Sequence, residues 1–214
     1  MSQYFLNLIR QGNTAEITAE VEANRALARY RDAQGVSALM LSVYTGQPAI
    51  RDFLRTHAGD LDIFEAACVG DCERLGHLIA EDATRVRAVS GDGWPPLHLS
   101  AAFAGPDAVL CLLEHGAHVH QFSHNPQRNQ ALHACIALGN SLDAVRLLVD
   151  AGSDVNARQA GGYTPLLQAA AAGKKDLVLF LLDHGADRTA CCDQGKTSAD
   201  YARERGHVEV AGLL

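Results

Sequence analysis

The clearest pattern in the chain is a pair of short apolar segments separated by a glycine, as in GYTPLLQAAAAGKKDLVLFLLDHGAD at 162–187. The second segment places its apolar residues on one face of a helix, at Leu177, Val178, Leu181 and Leu182. Thr164 and Pro165 suit the start of the first segment, because a hydroxyl caps free amides and a proline there loses no hydrogen bond. The pattern predicts two short helices.

The same pattern recurs along the chain. Segment 93–118 aligns with 162–187 without a gap, and further copies lie at 35–54, 128–154 and 195–214. Their anchoring apolar residues are Leu39, Leu97, Leu132, Leu166 and Ala199. Two fainter copies have Phe5 and Ile63 at the anchor. The predicted repeats are approximately 1–30, 31–58, 59–89, 90–123, 124–158, 159–191 and 192–214.

Capping residues and glycines predict where the first helices begin and end. Ser37 and Thr197 can cap their helices as Thr164 does, whereas Pro95 and Gln130 in the same position cap weakly or differently. A glycine follows the anchor by seven residues in most copies, where a left-handed residue ends a helix. These glycines are Gly46, Gly70, Gly139, Gly173 and Gly206, and Ala104 replaces glycine in the fourth copy.

The quoted copies resemble the ankyrin repeat family. GYTPLLQAAAAG and GWPPLHLSAAFAG match its T-P-L-H-x-A motif, and LVLFLLDHGAD and LCLLEHGAH match its L-L-x-x-G-A-D motif. The resemblance implies an all-α solenoid of about seven stacked helix-turn-helix repeats with β-hairpin loops, forming a single domain over 1–214. It also implies a protein-binding role without catalysis. Stacking would bury the apolar faces that no single helix pair can bury alone.

One connection departs from the family pattern. The anchors Leu39 and Ile63 are 24 residues apart, so about ten residues are missing around 57–62. Those residues would form the projecting loop, which we call a finger. The sequence therefore predicts no finger between the second and third copies, and a notch in the row of fingers.

Composition and charge narrow the function classes. The net charge of −7 disfavours nucleic acid as a partner, because phosphate backbones are also negative. The longest apolar run, LVLFLL at 177–182, is too short to cross a bilayer. The N-terminal stretch MSQYFLNLIRQGN lacks the pattern of a signal peptide. We expect a cytoplasmic monomer with reduced cysteines and no membrane partner.

The chain has no sequence motif of an enzyme, and we predict no catalytic residues and no cofactor. Cys191 and Cys192 are interpreted as exposed loop residues. The stretch HGAHVHQFSH at 115–124 is rich in histidine, but most of its histidines fill ordinary repeat positions. A zinc site would use His118, His120 and His124, which are weak candidates because no CxxC accompanies them. His98 and His133 fall on the H of T-P-L-H, and the resemblance implies that they bond neighbouring loops.

A partner is expected on the concave face, where side chains of the fingers and first helices project. Aromatic residues are the strongest candidates because they dominate interface energetics. The alternative interpretation is that these aromatic rings pack on neighbouring repeats. The predicted partner-binding residues are Trp94, Tyr163, Tyr44, Phe103, Asn129, Leu138, Gln127, Arg128 and Lys196.

Three functional hypotheses remain open from the sequence. The first is a non-catalytic module that binds a partner protein on its concave face. The second is an inhibitor or immunity-type accessory of a neighbouring gene product. The third is a metal- or redox-responsive protein that uses the 115–124 histidines.

Overall fold

Seven consecutive helix pairs make up the chain in a computed structural model, which describes residues 2–139 and 141–214. The first helices of the pairs are α1 (Ser2–Gln11), α3 (Ala38–Tyr44), α5 (Ile63–Val69), α7 (Pro96–Leu99), α9 (Ala131–Ala137), α11 (Pro165–Ala171) and α13 (Ser198–Glu204). The second helices are α2 (Thr14–Ala23), α4 (Pro48–His57), α6 (Cys72–Glu81), α8 (Pro106–Glu114), α10 (Leu142–Asp150), α12 (Lys175–Asp183) and α14 (Val208–Ala211). No helix in the described part of the chain has the length and apolar character needed to cross a membrane.

The pairs stack in two layers. The first helices pack on one another, so that α9 contacts both α7 and α11, and neighbouring second helices such as α8 and α10 also contact each other. One apolar cluster runs through the stack from Phe5 to Val210. The predicted anchors are buried except Ala199, which lies in the last described pair and is half-buried. The architecture is the all-α solenoid that the repeats predict.

Side-chain caps begin the first helices as the sequence predicts. The hydroxyls of Ser37 and Thr164 accept hydrogen bonds from the amides of Met40 and Leu167 at 3.1 and 3.3 Å. Pro95 provides no such bond. These caps satisfy amides that have no partner inside the helix.

Two of the predicted helix ends differ from the expected left-handed glycine. Gly139 is not left-handed; a Cβ there would lie 2.6 Å from the carbonyl oxygen of Ala101, so glycine is needed for close approach. Ala104 lies in a π-helical turn, Ser100–Ala104, that continues α7. The chain reverses one residue later at Gly105, whose φ is 95°. Alanine at 104 is the reason for this shift, because it avoids the left-handed region.

Fingers connect most of the pairs, and each is closed by at least one backbone hydrogen bond between its ends. The amide of Ser90 donates to the carbonyl of Trp94 at 3.0 Å, and Gln159 donates to Tyr163 in the same way. The expected β-hairpins are reduced to two isolated bridges, Arg31 with Ser37 and Cys191 with Thr197; the described residues contain no strand. The fingers are too short to extend a ladder.

The finger predicted to be missing is absent. Five residues, 58–62, connect α4 to α5. The guanidinium of Arg31 lies over this connection, 2.9 Å from a carboxylate oxygen of Asp62 and 3.1 Å from one of Glu65. A cavity of about 200 Å³ remains beside these side chains.

The predicted notch, however, is closed at the fingertips. A Cβ on Gly91 would lie 1.9 Å from the carbonyl oxygen of Gln34, so the fingers on either side of the short connection are in backbone contact. The phenol of Tyr44 also donates to Asp92 at 3.0 Å across the same gap. Because no finger stands between them, the fingers that contain Gln34 and Gly91 touch each other, and the row of fingers is continuous.

Candidate functional site

A groove of about 530 Å³ lies between the fingers and the first-helix layer. Four of the predicted residues line it: Trp94, Gln127, Asn129 and Leu138. The sequence reasoning missed its other lining residues, which are Asp92, Asn125, Ala134, Ala137, Gln159 and Gln168. The groove thus draws on three fingers and on helices α9 and α11.

Trp94 is half-buried at the end of its finger. Its amide donates to the hydroxyl of Ser90 at 2.9 Å, and its ring and that of His98 are nearly perpendicular at a centroid distance of 6.1 Å. Part of the indole remains open to the groove. The side chain both packs on its repeat and offers a surface, so each of the two sequence interpretations describes part of it.

Asp92 is oriented by two donors. The hydroxyls of Ser90 and Tyr44 lie 2.5 and 3.0 Å from its carboxylate oxygens. The ring of Tyr44 stacks on Phe103 at 5.2 Å, and both rings are half-buried. Burial, with a contribution from Asp92, raises the pKa of Tyr44 well above its usual range. Tyr44 therefore supports Asp92 from the second repeat, Phe103 stacks on Tyr44, and neither ring lines the groove.

The finger at 123–129 is longer than the others and turns at Arg128, whose φ is 44°. Asn129, expected to be available to a partner, is only 5% exposed, because its amide oxygen lies 2.6 Å from the hydroxyl of Ser123. Its side chain forms part of the finger's internal bonding. Gln127 and Arg128 are exposed at the tip, and Gln127 alone of the two lines the groove.

Leu138 and Gln168 form the helical side of the groove. Leu138 is 50% exposed. The Nε2 of Gln168 donates to Oε1 of Gln159 at 3.2 Å, which links helix α11 to a finger. Gln168 aligns with Ala134, one helical turn before Leu138 on the same face. That spacing is the signal that could have identified Gln168 from the sequence.

Tyr163 and Lys196 lie outside the groove. The phenol of Tyr163 is 2.9 Å from that of Tyr201, and the Nζ of Lys196 lies 5.6 Å from the Tyr201 ring centre. Together with Leu167 and Cys192, these rings form a second small apolar cluster near the C-terminal pair. The structure thus assigns Tyr163 mainly a packing role.

The expectation that both vicinal cysteines are exposed is wrong for Cys192. It is 3% exposed, and its Sγ lies 3.5 Å from the Tyr201 hydroxyl, whereas Cys191 is exposed. The bond from Tyr201 lowers the pKa of the Cys192 thiol. Burial in the second cluster, which the sequence pattern does not reveal, accounts for the difference.

Each of the two T-P-L-H histidines connects its first helix to the loop that leads into the next pair. Nε2 of His98 donates to the carbonyl of Asn129 at 2.9 Å, and Nε2 of His133 donates to that of Ala157 at 3.0 Å. Both rings are fully buried. Burial lowers the pKa of each to about 4, although the bonds to carbonyl oxygens oppose this change.

The remaining histidines do not assemble a metal site in the structure. Within 2–139 and 141–214, no group of three or more histidine, cysteine, aspartate or glutamate side chains is placed to hold an ion. His118, His120 and His124 are exposed loop residues. The geometry gives the metal hypothesis no support.

Comparison with known proteins is consistent with this geometry. A family model described as ankyrin repeats in three copies matches residues 63–159, and one described as ankyrin repeats in many copies matches 166–214. The chain belongs to the ankyrin repeat family. An ankyrin repeat stack is a protein-interaction fold, and the groove described above lies on the face formed by its fingers and first helices.

Several curated proteins share these ankyrin repeats. Human protein phosphatase 1 regulatory subunit 27 is 40% identical over 36% of this chain and 49% of its own length. Human neurogenic locus notch homolog protein 2 is 29% identical over 92% of this chain and 8% of its own. Rat ankyrin repeat and SAM domain-containing protein 6 is 33% identical over 65% of this chain and 12% of its own length. The chain spans half or less of each relative.

Proposed function

We propose that the chain is a non-catalytic interaction module that binds a partner protein on its concave face, in the groove bounded by Trp94, Gln127 and Leu138. The observation that carries this proposal is the groove itself, because it combines a partly open indole, an exposed leucine and several amide side chains. Interfaces take most of their energy from aromatic anchors surrounded by polar groups. The second helices α8, α10 and α12, which form the outer layer of the stack, contribute no residue to the groove.

A photo-crosslinking amino acid at two matched leucines tests the proposal. Leu138 faces the groove and is 50% exposed, and Leu179 on α12 in the outer layer is 38% exposed. We expect light-dependent adducts from native lysate at position 138 and none at 179, measured by mass spectrometry. Equal labelling at the two positions, or no adduct at 138, would contradict the proposal.

A regulatory role is a second candidate, favoured by one comparison. A relative that is 40% identical over part of the chain is named a regulatory subunit of protein phosphatase 1. The chain would then inhibit or redirect the enzyme that it binds, as an accessory protein does. Assaying the crosslinked partner with and without the chain separates regulation from simple tethering.

A further inference from the structure

The groove carries one acidic side chain. Among the described residues that line it, Asp92 is the charged one, and the others are amides, alanines, a leucine and a tryptophan. The nearby Arg128 belongs to a groove finger but does not line the groove. The whole chain has a net charge of −7, which adds to the local negative potential. The groove therefore attracts a positively charged group.

Asp92 is prepared to accept further hydrogen bonds. Ser90 and Tyr44 fix its carboxylate from two directions, at 2.5 and 3.0 Å. A carboxylate offers about four lone-pair positions, so two remain for a ligand. The carboxylate is already held in one orientation and is half-buried. Little conformational entropy of the Asp92 side chain is therefore lost when a cationic partner binds to it.

Trp94 provides an aromatic surface in the same groove. Its ring packs against His98, and its backbone amide is fixed by a hydrogen bond to the Ser90 hydroxyl. Cations bind over the face of an indole, and a guanidinium suits such a site better than an ammonium, because it is planar and less strongly hydrated. A guanidinium also has donors left over for a neighbouring carboxylate.

We propose that the Trp94–Asp92 end of the groove binds an arginine side chain from an extended segment of the partner protein. This inference rests on the proposed function, since it names the chemistry that the partner presents. The guanidinium packs on Trp94 and donates to Asp92. A lysine in its place satisfies the charge but loses the planar contact.

The opposite end of the groove suits the backbone of the same segment. The Oε1 of Gln168 is buried and has no donor among the described residues, although the Nε2 of the same amide is bonded to Gln159. That oxygen is closed to solvent, so the peptide backbone bonds instead to the side-chain amide of Gln159, which also lines the groove. The exposed Leu138 offers an apolar contact between the two ends. An extended chain can make these contacts in sequence.

Trp94 is the sole tryptophan of the chain, so its fluorescence and indole NH resonance report on the groove directly. The probes are two synthetic peptides, acetyl-Ala-Leu-Arg-Ala-Ala-amide and the same peptide with citrulline, a neutral isostere, in place of arginine. We expect saturable changes with the arginine peptide and about tenfold weaker binding of the citrulline peptide. Asp92→Asn should remove this preference, and Asp107→Asn on the outer helix α8 should not.

Three results would overturn the arginine inference. The first is the absence of a saturable change in the Trp94 signals at up to about 10 mM arginine peptide. The second is equal affinity for the arginine and citrulline peptides. The third is an unchanged preference for the arginine peptide in a folded Asp92→Asn variant. The crosslinking result at Leu138 does not depend on arginine. Adducts there without an arginine preference would remove this inference alone, whereas peptide binding without adducts would remove the proposed function.

Discussion

Lowering the pH from 6.5 to 4 is expected to remove about 3 kcal/mol of stability through His133 alone, and a similar amount through His98. Each ring is buried, and burial lowers its pKa from 6.5 to about 4. Below pH 6.5 the unfolded chain binds a proton that the folded chain binds only near pH 4. The stability contributed by the neutral rings is therefore complete above pH 6.5 and is lost as the pH falls through this window.

Urea unfolding at several pH values between 7 and 4 measures this effect. His133→Gln keeps a side-chain donor for the Ala157 carbonyl but cannot titrate, so its unfolding free energy should fall less steeply than that of the parent chain. His118→Gln makes the same change at an exposed histidine and should leave the slope unaltered. A His133→Gln slope equal to that of the parent would show that this ring is not held neutral by burial.

Replacing Gly91 by alanine is expected to lower the free energy of unfolding by about 3 kcal/mol. The added Cβ would lie 1.9 Å from the carbonyl oxygen of Gln34, and backbone atoms cannot move aside as a flexible side chain can. The two fingers that meet across the short 58–62 connection would have to separate. Their separation would also strain the bond from Tyr44 to Asp92. Chemical denaturation of the purified variant measures the loss.

Gly76→Ala is the matched control for this substitution. Gly76 lies inside α6, and a Cβ there meets nothing closer than 4.0 Å. Alanine is a better helix former than glycine, so this variant should gain up to about 1 kcal/mol. If Gly91→Ala were as stable as the parent chain, the fingertips would not be in contact and the notch would be open.

Much of the fold follows from the repeat pattern in the sequence. The anchors, the caps at Ser37 and Thr164, and the absence of one finger can all be predicted, because each depends on residues close together in the chain. Contact between the fingers at Gln34 and Gly91 could not be predicted. It joins residues 57 positions apart and depends on how the stack closes around the short connection.

The groove was only partly predictable for a related reason. Trp94 and Leu138 occupy positions that the repeat template marks as projecting, and both line the groove. Tyr163 occupies the same template position as Trp94, yet it bonds to Tyr201 in the next repeat. Asp92 has no template role, and its importance comes from the Tyr44 hydroxyl on another repeat. Equivalent positions thus differ in function when their spatial neighbours differ.

Amide hydrogen exchange of the chain, alone and with the partner crosslinked at position 138, tests the central claim that the finger side of the stack is the binding surface. We expect slower exchange on binding in the fingers at 90–94, 123–129 and 159–163. The outer helices, 106–114, 142–150 and 175–183, should show no change. Protection confined to those outer helices, with the fingers unaffected, would contradict the claim.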